Sequence, residues 1–195
     1  MKSFRLCSLL FSPFLLISCA TGIEEPKYES ISKDGEFELR QYPELPLVST
    51  KMDGMDRRNE SFRRLFKYIS GENEDARKIA MTAPVLMESK PDKESADSPG
   101  RMSFLIPAAI AKVGSPKPKS EAVETRMIPS QRVAVMTFAG WKDEPARELA
   151  VEKLGEWIKR QNLSAIGQPF FAFYDPPWIP EAFRRNEVWQ VVKAK

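Results

Sequence analysis

Glu38-Leu39-Arg40-Gln41-Tyr42-Pro43 and Glu124-Thr125-Arg126-Met127-Ile128-Pro129 open two stretches of chain that follow one plan, 86 positions apart. Eleven residues beyond each proline stands a glycine, Gly54 and Gly140. In the first copy, Leu45 to Met52 predicts a strand entered through Pro43 and Pro46. Asn59 is placed to cap the following helix, because its side-chain oxygen accepts an orphan backbone N–H. Phe62, Leu65, Phe66 and Ile69 then recur at helical spacing and share a face, with Arg63, Arg64 and Lys67 on the other. Gly71 stops the helix.

The second copy repeats this order with a longer helix. Val133 to Ala139 is an apolar strand, Asp143 caps, and Pro145 sits in the first turn, where a missing N–H costs nothing. Ala146, Leu149, Ala150, Leu154, Trp157 and Ile158 form the apolar stripe. Each helix leads to an extended segment, Ile79 to Met87 and Gln168 to Tyr174, and further strands fit Arg101 to Ile106 and Glu187 to Val192. Strand–strand–helix–strand occurring twice, over about residues 35–89 and 121–175, predicts an α+β fold. It has a curved antiparallel or mixed sheet, two flanking helices and an internal pseudo-twofold duplication. Lys90 to Gly100 and Ser115 to Ser120, rich in Pro, Ser and charge, read as surface loops of one domain.

The first 18 residues read as a leader outside that fold. Lys2 and Arg5 precede an apolar run, Leu6 to Ile17, that is too short for the roughly 20 residues a spanning helix needs. It ends in Leu16-Ile17-Ser18-Cys19, which looks like a bacterial lipobox; such a signal is cleaved before the cysteine, whose sulfur takes a diacylglycerol. An ordinary secretory signal with an incidental Cys19 is the other reading. The expected plan is therefore 1–18 signal peptide, 19–34 lipidated Cys19 and tether, and 35–195 domain. Ala20, with no aspartate beside Cys19, resembles lipoproteins sent to the outer membrane, so the expected location is a bacterial cell envelope, facing the periplasm. Cys7 and Cys19 are the only cysteines, so the mature domain has neither free thiol nor disulfide. It keeps 28 basic against 27 acidic residues, a balance without the footprint of a nucleic-acid binder.

Lys78-Ile79-Ala80-Met81-Thr82-Ala83-Pro84-Val85 resembles the signature segment of the SOUL haem-binding family. The resemblance extends to Glu38/Arg40/Tyr42, to Phe62-x-x-Leu65-Phe66-x-Tyr68-Ile69-x-Gly71-x-Asn73, and to Tyr174-Asp175-Pro176-Pro177-Trp178 followed by Phe183-Arg184-Arg185-Asn186-Glu187-Val188. Together these span roughly Tyr28 to Val192. The resemblance implies a distorted β-barrel or curved sheet with two helices. It also implies haem or another tetrapyrrole as ligand, held in some members by histidine and in others mainly by an apolar groove.

This chain contains no histidine. That excludes a Ser-His-Asp triad, a Cys-His pair and a His/Cys zinc site, and it removes the commonest haem ligand. No Gly-x-Gly-x-x-Gly or Walker pattern occurs. Glu72, Glu74 and Asp75 read as a solvated turn, and no enzymatic activity is expected. Any axial ligand comes from methionine, tyrosine or lysine, with Met81 inside the signature segment as the leading candidate. Filling core space is the competing role for Met81. Tyr68 and Tyr174 are weaker candidates, expected at a rim with wet hydroxyls. Alternation puts Phe171 and Phe173 on one face of their strand and Phe170 with Ala172 on the other. Phe66 completes the groove set. Arg184 and Arg185 can pair with haem propionates or form structural ion pairs. Two readings stay open: a membrane-anchored haem binder without strong axial ligation, and an envelope protein of the same fold that binds another amphiphile or a protein partner.

Overall fold

Each copy of the repeat forms the elements its pattern dictates, followed by one more strand. The computed structural model describes residues 22–52, 58–88, 100–140 and 144–194. The first half comprises β2 (Phe37–Tyr42), β3 (Leu45–Met52), α1 (Arg58–Ile69), β4 (Val85–Glu88) and β5 (Gly100–Leu105). The second comprises β6 (Val123–Ile128), β7 (Gln131–Phe138), α3 (Glu144–Arg160), β8 (Leu163–Phe173) and β9 (Asn186–Ala194). β1 (Glu29–Asp34) and a short α2 (Ala108–Val113) lie outside the repeat.

The nine strands form one sheet in the order β1-β2-β7-β9-β8-β4-β5-β3-β6, and every ladder between them is antiparallel. Leaving β1 aside, the order is a palindrome: β2 matches β6, β7 matches β3, β9 matches β5, and β8 matches β4. The pseudo-twofold axis therefore passes between β4 and β8, whose ladder joins Val85–Glu88 to Phe170–Phe173.

The α+β fold with a curved antiparallel sheet is as expected, and of the two forms left open the sheet takes the open one. Other expectations are corrected: the described residues form three helices instead of two. The tether expected over 19–34 is shorter, because Glu29–Asp34 pair with β2 and Glu24 bridges to Thr82. α1 begins at Arg58, so Asn59 lies inside its first turn. β4 begins at Val85, six residues after Ile79, and β8 begins at Leu163, with a bulge between Ile166 and Phe170. Cys7, Cys19, Gly54, Asp143 and the loop over 90–99 lie outside the described residues.

One face of the sheet carries both long helices. α1 buries Ser61, Leu65, Tyr68 and Ile69 against Val48, Met102 and Phe104. Its C-terminus is closed by Gly71 at φ 114° and by the Asn73 amide, which donates to the carbonyls of Tyr68 at 3.0 Å and Arg77 at 2.7 Å. α3 buries Ala150, Leu154, Trp157 and Ile158, while Ala146 and Leu149 in its first turns stay exposed. Trp157 stacks on Phe37 at 5.6 Å and donates its indole N–H to Asp34 at 3.0 Å, which fastens α3 to the β1–β2 edge. The helix-free face packs Tyr42, Leu45, Leu47, Leu86, Leu105, Val133, Phe170 and Trp189 inside the curve of the sheet.

Candidate functional site

Antiparallel register aligns side chains from different strands into rows across a sheet face. On the helix-bearing face one row runs Thr50, Met102, Met87, Phe171, Val188 and Met136. The next runs Val48, Phe104, Val85, Phe173, Asn186 and Phe138. α1 rests on β3 with its neighbours β5 and β6, and α3 rests on β9 with its neighbours β7 and β8. The middle of both rows lies between the helices. Val85, Met87, Phe171 and Phe173 are accordingly half-buried, although they sit at the centre of the sheet.

These four side chains floor a cleft on the pseudo-twofold axis. Four strand spacings, about 19 Å along the sheet, separate β3 under α1 from β9 under α3, with β4 at their midpoint. Phe62 of α1 meets Phe104 edge-on at 5.2 Å and stacks with Phe66 at 6.1 Å, forming an aromatic wall on the β5 side. On the opposite side Phe138 meets Phe171 edge-on at 6.3 Å, and Phe171 stacks with Phe173 at 6.2 Å. The Arg147 guanidinium of α3 lies 5.7 Å from the Phe171 ring centre, so a cation borders an otherwise carbon and sulfur surface.

The structure brings together three of the residues singled out from sequence: Phe171 and Phe173 in the floor and Phe66 in the wall. Met81, four residues before β4, packs at the margin of the α1 core. Tyr68 points beneath α1; it is 1% exposed and donates its hydroxyl to the Pro116 carbonyl at 2.8 Å, and burial raises its pKa. Arg184 closes the β8–β9 loop through the carbonyls of Ile179, at 2.7 Å, and Pro177. Arg185 serves the opposite face of the sheet. Glu72, Glu74 and Asp75 lie on an exposed turn. Sequence reasoning missed Val85, Met87, Phe62 and Arg147. For Val85 and Met87 the signal, pairing of β4 with β8, exists only once the register is known; Phe62 and Arg147 join them only through the placement of the two helices.

Arg185 belongs to a buried charge cluster on the helix-free face. Glu187 is fully buried and accepts from Arg40 Nη1 at 2.9 Å and Nη2 at 3.1 Å, from the Trp189 indole at 2.7 Å, from the Tyr174 hydroxyl at 2.8 Å and from Arg185 at 3.1 Å. Arg40 also donates to Glu38 at 2.8 Å and to the Tyr42 hydroxyl at 3.1 Å. Arg185 stacks 3.6 Å from the Tyr174 ring centre and pairs with Glu25 at 3.0 Å. Burial pushes the Glu187 carboxyl upward, but Arg40, Trp189 and Arg185 outweigh it and hold the group below the usual carboxylate value. Neither tyrosine hydroxyl is wet, contrary to expectation: Tyr68 is engaged under α1 and Tyr174 with Glu187, and burial raises the Tyr174 pKa strongly. Every donor here has an internal acceptor, so this cluster fastens β2 to β9 and presents nothing to a ligand.

With the geometry in view, the likenesses are specific. Residues 23–191 match the family described as SOUL heme-binding protein. Heme-binding protein 1 of Xenopus laevis is 27% identical over 175 residues, 86% of this chain and 92% of that protein. Heme-binding protein 2 of Homo sapiens is 26% identical over 185 residues, 90% of this chain and 89% of that protein. Among solved structures, the C-terminal domain of EcmrR superposes with a TM-score of 0.58 at 15% identity, over 86% of this chain and 99% of that one. A hydrolase from Listeria innocua superposes at 0.53 with 12% identity, over 84% and 94%. At such identities the structural likeness shows the fold alone.

Proposed function

The chain belongs to the SOUL heme-binding protein family, and on that premise we propose that it is a non-enzymatic binder of haem or a related tetrapyrrole, held in the cleft between α1 and α3 without histidine ligation. The observation that carries this reading is the half-buried row of Val85, Met87, Phe171 and Phe173, an apolar floor at the joint of two halves that neither helix covers. The residues present fit such a group. The aromatic sides, Phe62 and Phe138, suit a flat ring system, and the floor offers carbon and the Met87 thioether. The Arg147 guanidinium borders the floor beside the Phe171 ring. Haem, when bound, supplies a redox-active iron; what this chain supplies is a half-buried apolar floor with aromatic sides. Met87 is the thioether of the floor, with Met102 buried beside it in the same row and Met81 at the margin of the α1 core.

Titrating the purified protein with haemin tests the proposal. A saturable Soret shift near one equivalent, lost in Phe171→Ala/Met87→Ala, is expected, with a spectrum free of bis-histidine character. No saturable shift, or one untouched by those substitutions, overturns it. The absence of histidine favours a second reading in which the same cleft takes another apolar ring or amphiphile, or a segment of a partner protein. Mass spectrometry of ligand carried through native purification separates the two.

The anchor is a separate part of the proposal. Leu16-Ile17-Ser18-Cys19 supports lipidation at Cys19 and attachment in a bacterial envelope, on the outer membrane facing the periplasm. Wild-type protein should partition into detergent, whereas Cys19→Ser should stay in the aqueous phase. Wild type remaining aqueous would refute lipidation without touching the cleft.

A further inference from the structure

The four most exposed large apolar side chains among the described residues gather at one end of the sheet. Phe183 is 80% exposed, Trp178 79%, Val113 69% and Ile23 55%. This is the end where β4 begins and β5 and β8 finish, since Val85 stands opposite both Phe104 and Phe173. Trp178 and Phe183 lie in the loop from β8 to β9. Val113 closes α2, which follows β5 after Pro107. Ile23 adjoins Glu24, whose carbonyl accepts from Ala83 N–H at 3.0 Å and whose carboxylate accepts from Ala108 N–H at 2.8 Å.

The loop is braced, so its aromatic side chains are presented and not merely loose. Arg184 donates to the carbonyls of Ile179 and Pro177, Asp175 accepts from Arg185 N–H at 2.6 Å, and Gly140 N–H donates to the Glu181 carbonyl at 3.1 Å. Pro176, Pro177 and Pro180 fix three of its φ angles. Two large apolar groups held outward at this exposure gain nothing from the domain itself.

We propose that this end of the domain is a membrane-contact surface, in which Trp178 and Phe183 enter the interfacial layer of a bilayer. Three features point to lipid. Tryptophan favours the membrane–water interface, where its ring is buried and its N–H stays hydrated. Exposed Lys112 stands at the same end, suited to anionic headgroups, while Glu25 is already paired with Arg185. Glu24 is five residues from Cys19, so a lipid there sits at most about 18 Å away. The choice of a bilayer rests in this last respect on the anchor reading. In this orientation the Val85–Phe173 end of the cleft faces the lipid, a short path for an apolar ligand.

The test uses the full chain with phosphatidylcholine–phosphatidylglycerol vesicles whose acyl chains are brominated, read by tryptophan emission of wild type minus Trp178→Phe. Trp141, Trp157 and Trp189 are common to both proteins and cancel in that difference. The expected result is a Trp178 component that shifts to the blue and is quenched by bromine, in wild type and, at higher lipid concentration, in Cys19→Ser. Phe183→Ala should weaken both effects. Vesicle-attached wild type with an unquenched Trp178 overturns the contact surface, leaves the anchor standing, and assigns the patch to a protein partner. Quenching that survives when wild type shows no anchor overturns the anchor and leaves the surface standing.

Discussion

Removing the Arg40 guanidinium should unfasten β2 from β9, and the cost follows from what remains. In Arg40→Leu, Glu187 keeps Trp189, Tyr174 and Arg185 as donors but loses its two shortest-range positive contacts, at 2.9 and 3.1 Å, in a site with no solvent access. Glu38 loses its charged partner at the same time. Breaking a buried ion pair by deleting one member costs about 3–5 kcal/mol, because the other charge is left buried. With a urea dependence of about 2 kcal/mol per molar, the unfolding midpoint should fall by roughly 2 M. The pH dependence carries the diagnostic sign. Glu187 has a folded pKa below its unfolded value of about 4.5, so in wild type its contribution is complete above that value. It is lost as pH falls through the folded pKa. In Arg40→Leu burial is no longer outweighed and the carboxyl rises, so the deficit should be largest near neutrality and shrink below pH 4. Arg40→Leu/Glu187→Leu should recover much of the loss. A deficit under about 1 kcal/mol at pH 7, or one that grows in acid, would refute this account.

Asn73→Ala removes the amide that closes α1, with its partners at Tyr68, Arg77 carbonyl and Arg77 N–H, and should cost about 2–3 kcal/mol by thermal or urea unfolding. Gly100→Ala places a Cβ 2.8 Å from the Glu88 carbonyl oxygen and should cost about 1–3 kcal/mol while forcing β4 from β5, measurable as lost amide protection over 85–88. Tyr68→Phe should cost about 1 kcal/mol of stability yet leave apolar-ligand affinity unchanged, whereas Phe171→Ala should weaken that affinity about tenfold, by ligand titration of both variants.

The duplication was legible because its markers are local: Glu38 and Arg40, and Glu124 and Arg126, sit on strands that Pro43 and Pro129 immediately follow. The helices were legible for the same reason, but the buried face of α1 was misread by one position. Ser61, Leu65, Tyr68 and Ile69 share two members with the stripe anchored on Phe62, and hydrophobicity alone favours the phenylalanines. The polar pair is buried because each hydroxyl has an acceptor, Lys51 carbonyl for Ser61 and Pro116 carbonyl for Tyr68. That leaves Phe62 and Phe66 40% and 48% exposed, as the wall of the cleft. The partners of Arg185 and Tyr174 were invisible for a different reason: the network depends on Arg40, 147 positions from Glu187. The extended segment expected from Ile79 pairs as a strand only from Val85, because before it the chain is in no ladder apart from the Glu24 bridge, so nothing enforces a pleat.

The palindromic strand order has a topological consequence. β2, from the first half, pairs only with β7 and β1, and β6, from the second half, pairs only with β3. Each half has thus handed its opening strand to the other's outer edge, the arrangement of an arm-exchanged dimer whose two protomers have been joined end to end. A cut within 106–122 would not release two small domains. Each fragment would expose a vacant sheet edge shaped for the other's arm, and the two would have to find each other before either could close its core. The cleft, lying where the bodies meet and not where the arms cross, is the place such a molecule can widen without letting go.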